Sequence, residues 1–98
     1  MERQSGYGYR AFIYAKALER YGEENQSVIA LEELSEAQKE LCKFLRGNGD
    51  IEHLAEEVAD AFIMLEQVEL MYGIKDKVTK EMGRKVIRLA QRIQSGKR

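Results

Sequence analysis

Not one of the 98 residues is proline, and no other property narrows the possible folds as much. A proline inside a helix removes a hydrogen bond and clashes with the preceding turn, at about 3 kcal/mol or more. A chain without any can run in long helices. The stretches between its glycines are rich in Leu, Ala, Glu, Lys and Gln, the residues that lose least side-chain freedom in a helix. The expected fold class is all-α.

Glycine and polar punctuation divide the chain into four helical segments. The first runs from about Tyr9 to Tyr21 and stops at Gly22. The second begins near Gln26 or Ser27, with Ser27 placed to cap it, carries Leu31, Leu34, Leu41 and Leu45 at helical spacing, and ends at Gly47-Asn48-Gly49. Asp50 is placed to cap the third, which continues through Leu54, Val58, Ala61, Leu65 and Val68 to Gly73. The fourth opens near Ile74 and repeats Val78, Met82, Val86, Leu89 or Ala90, and Ile93 before Ser95-Gly96. Gly83 inside it costs roughly 1 kcal/mol relative to Ala. Residues 1–98 are expected to form one domain.

The formal net charge of −1 conceals a division along the chain. Glu19 to Glu66 holds 13 acidic and 4 basic residues, whereas Ile74 to Arg98 holds 9 basic and 2 acidic. A cation site beside an anion site is one account; two solvated helix faces is the other. The single cysteine, Cys42, has no internal partner for a disulfide, and no signal-peptide or membrane-spanning pattern is present, so a cytoplasmic location without membrane association is expected.

The second segment contains Glu33 and Glu36, the third Glu57 and Asp60, each pair at i, i+3. At about 100° per residue such a pair shares one helix face. Exposed helices carry acidic pairs of this kind routinely. Here both border apolar stripes, and Glu57 falls at or within its stripe, within about 20° of Met64 and Val68 on a helical wheel. Four carboxylates brought together there would repel unless a cation neutralised them. An all-oxygen set selects Mg²⁺, Mn²⁺ or Ca²⁺ over zinc or copper, and Mg²⁺, abundant in the cytosol, is the expected ion, with Mn²⁺ as the substitute.

The pattern Glu-x-x-Glu and Glu-x-x-Asp, with 20 residues between Glu36 and Glu57, resembles the signature of the MazG-like all-α nucleoside triphosphate pyrophosphohydrolases. The surrounding runs Tyr21-Gly22-Glu23-Glu24-Asn25-Gln26, Ala30 to Glu36 and Leu54 to Asp60 carry the likeness, which covers roughly Tyr14 to Ile93. It implies Mg²⁺ held by Glu33, Glu36, Glu57 and Asp60, and water attack on the α-phosphorus of a ribo- or deoxyribonucleoside triphosphate, giving monophosphate and pyrophosphate. It also implies phosphate contacts from the last helix, where Lys77, Lys80, Arg84 and Arg88 form a basic face, although no Asn lies among them. Lys80 and Arg84 are the candidate phosphate residues, Gln26 a candidate contact to the base or a water. Assembly into a homodimer or homotetramer is implied as well.

Tyr7, Tyr9, Phe12 and Tyr14 read as core or interface packing, Cys42 as packing, and His53 as a first-turn surface residue. A di-iron bundle requires Glu-x-x-His, and the lone His53 precedes its glutamate instead. Nucleic-acid binding is not expected, since no helix-turn-helix is recognisable and the acidic centre repels phosphates. The alternative to an enzyme is a noncatalytic helical interaction or regulatory protein with the same fold.

Overall fold

The structure, a computed structural model, describes residues 4–96. Its four helices are α1 (Tyr7–Tyr21), α2 (Glu23–Leu45), α3 (Ile51–Tyr72) and α4 (Lys75–Ser95), with no strand among the described residues. No helix among them is long and apolar enough to cross a membrane.

A single residue turns α1 into α2. Gly22, at φ 88°, donates its N–H to the Leu18 carbonyl at 2.9 Å and leads directly into Glu23. Only glycine takes such an angle without strain. The helix therefore starts before the expected cap: Ser27 lies inside α2, and its Oγ is 2.8 Å from the Tyr72 hydroxyl. Glu23 and Glu24 in the first turn favour the positive end of the helix dipole and outweigh Ser27's capping preference.

The other ends match the sequence more closely. Gly47 and Asn48 donate to the Phe44 and Lys43 carbonyls in a Schellman closure. Asp50 Oδ1 accepts from the Glu52 N–H at 2.9 Å and starts α3. Gly73, at φ 64°, ends it, and Ile74 then donates to the Glu69 carbonyl.

α2 and α3 form an antiparallel hairpin whose seam inverts the expected pattern. Facing α3 are Gln26, Ala30, Glu33, Ala37 and Glu40, spaced alternately by four and three, and all are buried or half-buried. The leucines lie on a different face: Leu31, Leu41 and Leu45 are exposed, as is Cys42, so neither the leucine stripe nor Cys42 packs within the chain as the sequence suggested. Across the seam, residues seven apart make three polar rungs. Gln26 meets Gln67 at 2.8 Å, Glu33 meets Asp60, and Glu40 meets His53 at 3.3 Å. Polar rungs of this kind fix register at some cost in stability.

α1 is latched to α3 by Glu66, which is nearly buried. Arg10 grips both its oxygens at 2.8 Å, and the Tyr14 hydroxyl donates to Oε1 at 2.5 Å. Burial and that bond push the Tyr14 hydroxyl up to about 12. Of the expected aromatic group only Tyr14 is core; Tyr9 and Phe12 are exposed.

The apolar core is very small. Tyr14, Ala30, Ala61 and Met64 are its buried members, and α4 contributes none. The radius of gyration is 15.9 Å, against roughly 13 Å for a compact domain of this length. The accessible surface, 7660 Å² for 11.3 kDa, exceeds the ordinary value for a folded single chain by about 1,900 Å². Met82, Val86, Leu89 and Ile93 of α4 are exposed with Leu31, Leu41 and Leu45. Gly83 has open space around it, so no close approach explains it.

Candidate metal centre

Two of the three rungs in the α2/α3 seam are chemically complementary: amide against amide, and carboxylate against imidazole. The middle one is not. It sets the Glu33 carboxylate against Asp60, with Glu57 one turn away on α3, and one oxygen from each of the three lies within 4.8 Å of the others. Glu33 and Glu57 are half-buried, Asp60 exposed. Partial burial, then the charges of Asp60, Glu57, Glu36 and Glu32, hold the Glu33 carboxyl above the usual range. Like charges gathered this closely are costly without a cation.

The donor set suits a hard divalent ion. Oxygens ligating one Mg²⁺ at about 2.0–2.1 Å lie up to ~4 Å apart, slightly less than the 4.8 Å here. Glu33, Glu57 and Asp60 would be the residues to hold such an ion, and three carboxylates are more than the one or two that a single Mg²⁺ usually takes.

Of the four expected carboxylates the seam gathers three. Glu36 is exposed and outside the group, though close enough for its charge to act on Glu33. Gln26 lies in the core beside Gln67, 4% exposed, with its Oε1 left without a hydrogen-bond partner. Lys80 and Arg84 are exposed on α4, where Arg84 bonds Glu81 at 2.7 Å. Among the described residues no ion pair joins the basic face of α4 to the seam carboxylates.

Two neighbours escaped the sequence reading. Glu40, 4% exposed, ends the seam beside His53, whose Nε2 stands 3.3 Å from Glu40 Oε2 and 3.9 Å from Glu57 Oε2. His53 Nδ1 lies 3.4 Å from Glu56, and that bond, followed by the Glu40 charge, raises the imidazole above its ordinary value. The signal was the seven-residue spacing of Gln26, Glu33 and Glu40 against His53, Asp60 and Gln67.

Glu33→Gln is expected to stabilise the metal-free protein at neutral pH by a few tenths of a kcal/mol, the site being partly exposed. Because the folded carboxyl binds its proton more tightly than the unfolded one, its penalty is present above the raised value and disappears below the unfolded one. The gain should therefore shrink as pH falls through the carboxylate range. Thermal melts in chelator across that range check this; a constant difference between the two proteins would show that Glu33 carries no such penalty.

Comparison with protein-family models, curated protein sequences and solved structures found no match. The chemistry of the site therefore rests on the side chains themselves.

Proposed function

We propose that the chain is a Mg²⁺-dependent nucleoside triphosphate pyrophosphohydrolase of the MazG-like all-α fold, with Mn²⁺ as a possible substitute. The observation that carries this reading is the middle rung: Glu33, Glu57 and Asp60 converge on one another in a seam whose neighbouring rungs are complementary. Glu36, one turn from Glu33, completes the set when it turns inward. Bound there, Mg²⁺ supplies neutralisation of phosphate oxygens and acidification of the attacking water. The carboxylates hold the ions, and one of the four orients the water toward the α-phosphorus, so that pyrophosphate leaves.

Lys80 and Arg84 take the β and γ phosphates in this scheme, as charge-assisted donors. Asp60 lies roughly 20 Å along α3 from Gly73, and the backbone of α4 approaches only α3. Its basic face therefore reaches the carboxylates from another copy, in a homodimer or homotetramer. Two copies each covering about 1,900 Å² would bury an area typical of permanent homodimers. Gln26, 4% exposed and bonded to Gln67, offers no surface for direct contact with a substrate in this scheme.

The noncatalytic reading draws on the same exposed apolar faces. One assay separates the two. Incubated with Mg²⁺ and a panel of ribo-, deoxyribo- and modified triphosphates, the protein is expected to release monophosphate and pyrophosphate from at least one, and EDTA to abolish it. Release of orthophosphate and diphosphate would move the cleavage site; no release from any triphosphate would leave the interaction protein.

A further inference from the structure

The position of His53 beside the carboxylate group has a functional meaning that its place in the first turn of α3 does not suggest. Its Nε2 faces two acids from two helices, Glu40 at 3.3 Å and Glu57 at 3.9 Å. Glu40 is almost fully buried and further held by Lys43 Nζ at 3.4 Å, so it is a fixed point. Glu57 is one of the three converging carboxylates. We propose that His53 is a positioning residue for the metal centre: anchored on Glu40 through Nε2, the ring sets the orientation of the Glu57 carboxylate, 3.9 Å away, beside Glu33 and Asp60.

This rests on the reading of that group as a metal site. A ligating carboxylate with a free torsion must be ordered when the ion arrives, and outer partners that order it in advance are worth about 10- to 100-fold in metal affinity or activity. Glu57 shares its corner of the seam with two like-charged carboxylates, Glu33 and Asp60, while Glu56 faces His53 through the other ring nitrogen. Without the contact at Nε2, repulsion from Glu33 and Asp60 would turn the Glu57 carboxylate outward.

The geometry makes the two ring nitrogens separable. A glutamine side chain can place an N–H where Nε2 stands, whereas asparagine places one near Nδ1, beside Glu56. The test is Mn²⁺ affinity, read by electron paramagnetic resonance of the free ion, in the wild type and in His53→Ala, His53→Gln and His53→Asn, with circular dichroism confirming equal helix content. Affinity is expected to fall about tenfold or more in His53→Ala and His53→Asn, and to be largely restored in His53→Gln. Equal affinity in all four proteins overturns the proposal. So does an equal loss in all three variants, because nitrogen position would then not matter, and so does rescue by Asn alone. A wild type that binds no Mn²⁺ overturns the metal site itself, which the four-protein comparison distinguishes from failure of the positioning role.

Discussion

Glu57→Gln is expected to lower metal-dependent turnover by about 100-fold or more, or roughly 2.7 kcal/mol of transition-state stabilisation, while leaving the helices intact. Glu57 is half-buried and central: it shares the group with Glu33 and Asp60, and His53 Nε2 stands 3.9 Å from one of its oxygens. An amide keeps the size and one acceptor but cannot balance a divalent ion. Removing one of several like charges should raise the stability of the metal-free protein slightly, a unit pair 4 Å apart in water being worth about 1 kcal/mol. Mg²⁺ should behave oppositely in the two proteins. At 100 times its dissociation constant it stabilises the wild type by about 2.7 kcal/mol, and the melting point of Glu57→Gln should respond far less. Turnover, circular dichroism and melts with and without Mg²⁺ decide it; undiminished turnover would exclude Glu57 as an essential ligand.

Val86→Asp is expected to have the second largest effect, on assembly. Val86 is 61% exposed and lies in the middle of the α4 stripe between Met82 and Leu89. On a helix that stood in water, such a change would fall within about ±0.5 kcal/mol. In a packed interface it buries an unpaired carboxylate, at several kcal/mol. Light scattering should find the wild type as a dimer or larger at micromolar concentration and the variant as single chains. Because Lys80 and Arg84 are proposed to serve the carboxylates of another copy, turnover should fall with assembly. A wild type that is a stable single chain, or a variant that assembles normally, would overturn this arrangement.

The helices and most of their ends were legible in the sequence because their causes are local. Asp50 caps α3 by bonding two residues on, and the glycines at 22, 47 and 73 stop helices by taking positive φ. The seam was not legible, because hydrophobic periodicity assigns the core to leucines, and this hairpin places Leu31, Leu41 and Leu45 outside. The pattern of one helix does not distinguish a face that packs within its own chain from one left exposed. The carboxylates were legible as types and spacing. Which three of the four converge depends on the rotation of α2 against α3, and that rotation is set by pairs 41, 27 and 13 residues apart: Gln26 with Gln67, Glu33 with Asp60, Glu40 with His53.

Since the three rungs recur every seven residues along both helices of the hairpin, neither helix admits a single extra residue between its rungs, and the turn that joins them is tightly closed. At Gly49 even a methyl group would come within 2.6 Å of the Phe44 backbone. One residue inserted inside α3 would rotate the rest of that helix by about 100° and slide it by ~1.5 Å, parting the rungs beyond it. Seven residues added to each arm would preserve all three. Helices paired in this way can therefore lengthen or shorten between their rungs only in matched heptads, and a variant with one residue more inside either helix would have to pair different side chains across the seam.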